Sequence, residues 1–310
     1  MYQEIVDKII AYDDICIFRH IKPDGDAMFS ALALYQFLTD NYPDKKIKVC
    51  GNDSYDIISK NDIVSDDFIH GSLAIIIDTS TVNRIDDSRA LEASYKIKID
   101  HHPFGDDYAD LNLVDTKTAA AAEFLADILL SDPFASHVFS QNTIRYLYYG
   151  IVTDTLNFKT SNTTAKTMKT AADLMAKGEI KASDTYEYLF NIDLSDFRKI
   201  SRMRNELEIK EHFGFLILDH DKLSELGMNG DDAKNSIDEI GNIRDLNVWA
   251  IAVENNEHLF EVSVRSKRMY IINVFCKEFG GGGHANAAGV KDLDRNQLNQ
   301  LFEKLAEASK

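Results

Sequence analysis

Short apolar runs alternate with longer stretches of helical spacing along the first part of this 310-residue chain. The runs have the length of buried strands and comprise Ile15–Phe18, Ile47–Cys50, Leu73–Ile77 and Tyr95–Ile99. The helical stretches comprise Ala27–Leu38, Ala119–Leu130, Ile144–Thr153 and Thr164–Lys177, with Gly178 as the predicted stop of the last one. This alternation predicts an α/β fold with a mostly parallel sheet flanked by helices.

The pattern changes in the last third of the chain. Residues 195–210 have helical spacing but are highly charged, as in a solvent-exposed connector. A second set follows, with strands predicted at Phe213–Leu218, Val248–Val253 and Leu259–Val264 and helices at Ile271–Phe279 and Gln297–Ala308. We therefore predict a first domain over residues 1–187, a helical connector over 188–211 and a smaller C-terminal α/β domain over 212–310.

The charge of the chain restricts its ligands. It has 51 acidic and 34 basic residues and a formal net charge of -17 at pH 7. Affinity for nucleic-acid backbones comes mainly from basic side chains, so we expect no binding of long duplex nucleic acid. A small phosphorylated substrate remains compatible with this charge, because bound divalent cations act locally while distant surface charges are screened.

The sequence predicts a cytoplasmic protein without a membrane partner. Its longest apolar stretches, such as Leu73–Ile77, are far shorter than the roughly 18–20 residues that cross a bilayer. The segment Met1–Asp14 is too acidic for a signal peptide. Cys16, Cys50 and Cys276 lack metal-type spacing and lie in apolar surroundings, so we expect reduced core residues.

A histidine and two aspartates follow the first predicted strand in the segment His20-Ile-Lys-Pro-Asp24-Gly-Asp26. Pro23, Asp24 and Gly25 are turn residues, which allow nearby side chains to converge. Taken alone, the segment is more simply explained as a solvated turn with a helix N-cap at Asp24 or Asp26.

Other predicted elements end in the same kinds of side chain. Asp78 follows Leu73–Ile77, the group Asp100, His101 and His102 follows Tyr95–Ile99, and Asp154 follows an apolar helix. A single aspartate at a strand end is usually a cap or turn residue. Because the carboxyl ends of parallel strands open onto one crevice, however, we expect these segments to converge.

Mixed imidazole and carboxylate ligands suit Mn, Fe or Zn better than Mg, and Mn²⁺ is the ion we expect. Two cations about 3.5–4 Å apart can share a carboxylate, generate hydroxide near neutral pH and stabilise the attacking and leaving oxygens of a phosphoryl group. Asp78 is the natural bridging ligand. The pattern therefore predicts a two-metal phosphoesterase.

The C-terminal part contains four consecutive glycines, Gly280–Gly283, followed by His284. Because glycine has no side chain, its backbone N–H group can approach a phosphate closely. This makes Gly281, Gly282 and Gly283 candidate phosphate-binding residues. The alternative is a flexible turn after a helix, with Gly280 as its C-cap.

A basic segment at the end of the predicted strand Leu259–Val264 contains Ser263 and Arg265. The Arg265 guanidinium could bind a substrate phosphate in bidentate fashion. A surface charge cluster at a strand end explains the segment equally well.

These motifs together resemble a known family. The set His20-x-x-Pro-Asp24-Gly-Asp26-Ala, Asp78, Asp100-His101-His102 and Asp154 resembles the DHH phosphoesterases. The segment Gly280-Gly-Gly-Gly-His284-x-x-Ala287-Ala-Gly289 resembles their associated DHHA1 domain. The resemblance covers nearly the whole chain. The compact length of the chain is similar to that of the oligoribonuclease and 3'-phosphoadenosine 5'-phosphate (pAp) phosphatase branch.

The resemblance implies a role for each matching residue. His20, Asp24 and Asp78 would hold one divalent metal ion, and Asp26, Asp78, His101 and Asp154 the other. His102 would face the phosphate, with Asp100 orienting a histidine or the loop. Arg265, Ser263, Gly281–Gly283 and His284 would bind substrate, with the active site in the cleft between the two domains.

The same resemblance implies the substrates. They would be single-stranded RNAs of about two to five nucleotides, the linear dinucleotide pApA made from cyclic di-AMP, and pAp, with AMP as product. Two positions depart from the family pattern: Phe29 stands where a glycine is usual, and Asn157 lies where a Gly-Arg pair commonly follows the Asp-Thr. The missing arginine could change substrate preference.

Two other functions share parts of this pattern. A manganese-dependent inorganic pyrophosphatase or exopolyphosphatase would use the same metal motif, but the Gly280–Gly289 segment argues against it. A sensor that binds a dinucleotide without cleaving it would normally have lost metal ligands, and here the ligand set is complete. A homodimer formed through an exposed helix is compatible with the sequence.

Overall fold

The computed structural model describes residues 2–55, 57–103, 105–267 and 269–310. The chain divides into two compact units, an N-terminal unit of Met1–Asn191 and a C-terminal unit of Ile192–Lys310. The predicted domain boundaries at residues 187 and 211 stay predictions. No helix among the described residues is long and apolar enough to cross a bilayer.

The N-terminal unit is built on a parallel sheet with the strand order β2-β1-β3-β4-β5. The strands are β1 (Asp14–Phe18), β2 (Lys46–Val49), β3 (Leu73–Ile77), β4 (Tyr95–Asp100) and β5 (Leu111–Val114). The helices are α1 (Tyr2–Ala11), α2 (Gly25–Asn41), α3 (Asp66–His70), α4 (Ala121–Leu129), α5 (Gln141–Asp154), α6 (Ala165–Gly178) and α7 (Ala182–Phe190). The predicted α/β class and mostly parallel sheet are confirmed.

The strand order reverses direction between β1 and β3, which are neighbours in the sheet. At such a switch point the connections leave towards opposite sides, which opens a crevice at the carboxyl ends of the two strands. All five residues of β3 are buried, as expected for a central strand covered on both faces. His20 and Asp78 follow the two strands that flank the crevice.

Two glycines allow the helices around this crevice to pack closely. A Cβ atom on Gly25 of α2 would lie 2.6 Å from the side chain of Thr153 in α5. A Cβ atom on Gly150 of α5 would lie 2.5 Å from the Ala122 side chain and 3.0 Å from Asp26 Oδ1. Because neither distance is compatible with a side chain, both glycines are required for this packing.

The C-terminal unit contains a mixed six-stranded sheet with the order β10-β11-β9-β8-β7-β6, in which β7 and β8 are parallel. The strands are β6 (Glu208–Lys210), β7 (Phe213–Leu218), β8 (Val248–Glu254), β9 (Phe260–Ser266), β10 (Gly282–His284) and β11 (Ala287–Leu293). The helices are α8 (Leu194–Asn205), α9 (His220–Leu226), α10 (Gly230–Asn235), α11 (Asn273–Glu278) and α12 (Arg295–Ala308).

Several elements differ from the sequence-based expectation. The patterns missed β11 and the short strands β5, β6 and β10, and the short strands are stabilised by pairing with longer neighbours rather than by their own composition. Gly178 is still helical, and Glu179 takes the left-handed C-cap conformation with φ 49°. Cys16, Cys50 and Cys276 are buried free thiols, as expected.

Candidate metal centre

The first group of metal-type side chains lies between the ends of β1 and β3. His20 Nε2 is 3.8 Å from Asp24 Oδ1 and 3.6 Å from Asp78 Oδ2. The other ring nitrogen, Nδ1, lies 2.8 Å from the carbonyl oxygen of Ile21. The Arg84 guanidinium also lies 3.2 Å from Nδ1. In a neutral ring, donation from Nδ1–H to the Ile21 carbonyl would leave the lone pair of Nε2 facing the carboxylates, the arrangement usual for a metal-binding histidine.

The second group lies at the ends of β4, α2 and α5. His101 Nε2 is 3.5 Å from Asp78 Oδ1, 3.7 Å from Asp154 Oδ2 and 4.0 Å from Asp26 Oδ2. His101 Nδ1 faces the carbonyl oxygen of Thr118 at 3.5 Å, which orients this ring as Ile21 orients His20. Four segments that are distant in sequence therefore supply one donor cluster.

Asp78 connects the two groups. Its Oδ2 faces His20 and its Oδ1 faces His101, although the side chain is only 3% exposed. Oδ1 has no hydrogen-bond partner among the described residues. A buried carboxylate oxygen without a donor is costly unless a cation binds it, so the residues fit bound metal ions. The backbone of Asp78 has φ 53°, an unfavourable conformation of the kind that concentrates at functional sites.

The metal-free charges in this cluster are strongly perturbed. Burial alone would lower the pKa of His20 and of His101, but the neighbouring carboxylates outweigh it and raise each to about 10. Burial, together with the nearby Asp78 carboxylate, raises the pKa of Asp154 to about 7. Burial also raises the pKa of Asp26. The cluster thus holds more negative charge than its two imidazoles can balance.

Backbone groups fix Asp24 and Asp26 in place. Asp24 Oδ1 accepts a hydrogen bond from Ala27 N at 3.0 Å and caps α2, so the simpler interpretation of this segment is also correct. Asp26 Oδ2 accepts from Ala121 N at 2.6 Å, and Oδ1 from Ala122 N at 2.9 Å, at the start of α4. The first turn of α4 therefore orients one carboxylate of the cluster.

A buried ion pair lies behind His102. Asp100 Oδ1 is 2.8 Å from His102 Nδ1, and Asp100 Oδ2 is 3.3 Å from Lys98 Nζ. Burial opposes ionisation of Asp100, but His102 and Lys98 lower its pKa below the ordinary value. His102 Nε2 is left available, on a ring that is about one-third exposed. The sequence pattern did not indicate a role for Lys98, because Lys96 and Lys98 alternate with isoleucines as on the exposed face of a strand.

In the C-terminal unit, strands β9, β11 and β10 present the predicted substrate-binding residues on one face. Arg265 pairs with Ala287, which pairs with His284. The next row on the same face is Ser263, Gly289 and Gly282. Residues opposite each other in antiparallel strands share a face, so Arg265 and His284 flank a floor of small residues. Val264 and Ala288 point to the buried core on the other face.

Part of this face opens into a cavity of about 620 Å³. Its lining includes Ser263, Gly280, Gly281, Gly282 and Gly289. A Cβ atom on Gly281 would lie 2.2 Å from the Gly289 carbonyl oxygen, so glycine is required there. Arg265, Gly283 and His284 are not in the cavity lining.

The turn proposed as the alternative for the glycine segment is also present. The C-cap of α11 is Phe279, one residue before the predicted Gly280, and Gly280 follows with φ 79° and donates to the Lys277 carbonyl oxygen. The remaining residues, Gly282–His284, form β10. One part of the segment therefore ends a helix and the other lines the sheet face.

Comparison with known proteins places both units in a family. Residues 14–151 match the DHH family, N-terminal domain, and residues 215–310 match the DHHA1 domain. The chain is 34% identical to the probable bifunctional oligoribonuclease and PAP phosphatase NrnA of Streptococcus mutans, over 98% of this chain and 97% of that protein. The chain belongs to the DHH/DHHA1 phosphoesterase family.

A second NrnA relative agrees with this assignment, and a solved structure shares the fold. The bifunctional oligoribonuclease and PAP phosphatase NrnA of Bacillus subtilis is 29% identical, over 98% of this chain and 97% of that protein. A crystal structure of an exopolyphosphatase-related protein from Bacteroides fragilis superposes with a TM-score of 0.87 at 22% identity, over 99% of this chain and 95% of that one, which shows the shared fold. The protein is thus a metal-dependent phosphoester hydrolase of the NrnA type.

The two departures from the DHH pattern each stand three residues after a member of the donor cluster, Phe29 after Asp26 and Asn157 after Asp154. Phe29 is buried in α2, with its ring centroid 5.3 Å from that of Tyr149 and 6.0 Å from those of Tyr55 and Tyr146. A glycine at this position would leave this aromatic cluster without its centre. Asn157 has φ 58° in a left-handed run over residues 156–158 that begins directly after α5.

Proposed function

We propose that this DHH/DHHA1 protein hydrolyses phosphoester bonds in short nucleotides, releasing AMP from pAp, from pApA and from RNAs of a few nucleotides. One observation carries the proposal: the two oxygens of Asp78 face two separate groups of metal-type ligands. A shared carboxylate between two cation sites is the arrangement that phosphoryl transfer by paired metal ions requires. The named activities of the two NrnA relatives support these substrates.

The proposed cofactors are two divalent ions, with Mn²⁺ as the preferred species. The first would be held by His20, Asp24 and Asp78, and the second by Asp26, Asp78, His101 and Asp154. Imidazole and carboxylate donors in this proportion favour Mn²⁺ over Mg²⁺. When bound, such ions supply charge stabilisation at the phosphoryl group and activation of a water nucleophile.

His102 is the proposed catalytic residue outside the ligand set. Asp100 holds His102 Nδ1 at 2.8 Å, which makes Nδ1 the donor and directs Nε2 away from the ion pair. Nε2 would then contact the substrate phosphate, to stabilise its charge or to assist proton transfer. Lys98 would act through Asp100 as a positioning residue, because it holds that carboxylate ionised.

The DHHA1 face is the proposed nucleotide-binding surface. Arg265 would bind a phosphate with its guanidinium, and Ser263 and His284 would donate further hydrogen bonds. The N–H groups of Gly281, Gly282 and Gly283 would lie within reach of a phosphate oxygen, because no side chain shields them. The formal net charge of -17 agrees with ligands that carry only a few phosphates.

The deciding experiment offers one protein several phosphorylated compounds. Purified protein is incubated with Mn²⁺ and, in parallel, with pAp, pApA, a three-nucleotide RNA, cyclic di-AMP or pyrophosphate, and products are separated by chromatography. Chelator-treated protein is the control. AMP release from the linear nucleotides, with pyrophosphate intact, supports the proposal. Cleavage of pyrophosphate alone would point to a pyrophosphatase, and binding of dinucleotide without any cleavage would point to a sensor.

We also propose a cytoplasmic location. All three cysteines are free and buried, as expected for a protein from a reducing compartment. A homodimer stays a prediction, which light scattering on the purified protein would test.

A further inference from the structure

A second cluster of metal-type side chains lies in the C-terminal unit. His220 begins α9 directly after β7, Glu254 ends β8, and His258 lies in the connection between β8 and β9. Each offers one ligand atom, and these atoms all lie within 4.8 Å of one another. None of these residues belongs to the phosphoester site or to the DHHA1 sheet face.

Sheet topology explains why these residues meet. Strands β7 and β8 are the parallel neighbours of this sheet, with Leu218 paired with Val253. The residues that follow their carboxyl ends therefore emerge side by side. The tight connection after β8 brings His258 back to the same place, where its Nδ1 lies 3.0 Å from Glu254 Oε1.

The ring of His220 is held as a metal ligand would be. Its Nε2 is 3.0 Å from the carbonyl oxygen of Asn255, which requires Nε2–H as the donor and leaves Nδ1 with the lone pair in the neutral ring. Metal-binding histidines commonly donate their other N–H to a backbone carbonyl in this way. The backbone N–H of His220 also donates to Glu254 Oε2 at 2.9 Å, which fixes the carboxylate beside the ring.

The surroundings favour a cation. A cavity of about 290 Å³ at this position is lined by Asp219, His220, Asp221, Glu254 and His258. No lysine or arginine is in that lining, so three carboxylates face two imidazoles.

We propose that His220, Glu254 and His258 bind one divalent transition-metal ion of the Zn²⁺ class at the carboxyl ends of β7 and β8. Two imidazoles and one carboxylate form a ligand set that suits Zn²⁺ and leaves a coordination position for water. The 3.0 Å between His258 Nδ1 and Glu254 Oε1 is close to the ~3.4 Å expected for two ligands about 2.1 Å from one tetrahedral ion. The bound ion joins the start of α9 to the β8–β9 connection and stabilises the C-terminal unit.

The test counts metal ions on intact protein. Wild-type protein, His258→Ala and His220→Ala are dialysed against Zn²⁺, and bound metal is measured by plasma emission. Each variant is expected to lose one ion per chain relative to wild type. His70→Ala is the matched control, because His70 forms a surface pair with Glu92 at 2.8 Å without a second histidine, and it is expected to lose none. Equal zinc content in wild type and His258→Ala would overturn the proposal.

A second measurement separates this site from the phosphoester site. Asp78→Ala protein, with the shared ligand of the DHH cluster removed, should still bind one Zn²⁺, and its affinity should fall at least about tenfold when His258→Ala is added. Trp249, the only tryptophan, lies in the C-terminal unit, so its fluorescence reports unfolding there. Zn²⁺ should raise the midpoint of that transition in wild type and not in His258→Ala. A rise of the same size in the variant would contradict the site, whatever the activity of the enzyme.

Discussion

The two units differ in the kinds of residue that form their expected binding sites for charged ligands. In the DHH unit two of the ligands are carboxylates removed from water, with Asp26 1% and Asp78 3% exposed. In the DHHA1 unit the corresponding face is made of glycines, alanine and serine, with Arg265 half-buried and His284 exposed at its edges. A buried anion cluster is stable only with its cations, whereas a face of small residues is stable without a ligand.

This difference indicates how each unit should respond to substitutions. The DHH cluster is tied to the core through β3, α2 and α5, so a change there alters charge, packing and chemistry together. The small-residue part of the DHHA1 face lies at half-buried or exposed positions of β9, β10 and β11, so a change there should alter affinity more than stability.

Replacement of the shared carboxylate should have the largest effect. Asp78→Ala is expected to lower kcat/KM by at least about a thousandfold, because it removes a ligand from both donor groups. Isothermal titration with Mn²⁺ should show weaker binding as well. Asp107→Ala, which removes an exposed carboxylate from the same unit, is the control and should be unchanged. Near-normal turnover in Asp78→Ala would refute the bridging role.

Stability of the metal-free protein should fall as pH rises. Folded His20 and His101 keep their protons up to about pH 10, while histidine in an unfolded chain loses its proton near pH 6.5. Their contribution is therefore complete below about pH 6.5 and is lost towards pH 10, with a slope of up to ~1.4 kcal/mol per pH unit for each group. Asp154, with its pKa raised to about 7, adds a loss of the same sign between about pH 4 and 7.

Urea unfolding in chelator between pH 6 and pH 9.5, followed by circular dichroism, measures this dependence. In the same series with saturating Mn²⁺, the free energy of unfolding should fall less as pH rises, because metal ions then replace the protons on the histidines. Trp249 fluorescence follows the DHHA1 unit in the same samples. If the free energy of unfolding of the DHH unit in chelator rose with pH, the buried carboxylates would not be holding the histidines protonated.

Close packing beneath the donor cluster can be tested with one methyl group. Gly150→Ala should destabilise the DHH unit by about 2 kcal/mol, since the new Cβ would lie 2.5 Å from Ala122 and 3.0 Å from Asp26 Oδ1. Denaturant titration measures the free energy of unfolding, and a parallel assay should show reduced turnover. Gly71→Ala is the control, because its Cβ would lie 3.6 Å from the nearest atom. Equal stability of the two variants would mean that α5 can shift without cost.

The smallest effect is expected on the DHHA1 face. Arg265→Ala should raise KM for pAp by about tenfold with little change in kcat, because it removes a charge-assisted contact to phosphate that does not take part in bond cleavage. Arg244→Ala removes an exposed arginine from the same unit and should leave KM unchanged. A fall in kcat with constant KM would place Arg265 in the chemical step instead.

The sequence by itself determined the fold class and the ligand types. Apolar runs such as Leu73–Ile77 become buried parallel strands, because their hydrophobic character requires cover on both faces. A histidine or an aspartate directly after each run then lies at the carboxyl edge of the sheet. The combination of residue types in the DHH and DHHA1 motifs was specific enough to indicate the family, which the comparisons confirm.

That Asp78 Oδ2 faces His20 while Oδ1 faces His101 is known only from the folded structure. The opposite directions of the two Asp78 oxygens depend on its left-handed backbone and on the hydrogen bond from its N–H to Ile99. The buried position of Lys98 depends on the sheet being covered where the sequence pattern indicates an exposed face. The cluster of His220, Glu254 and His258 depends on strand pairing between β7, β8 and β9. These are contacts between distant segments, and no local pattern of residues encodes the distance between two side chains.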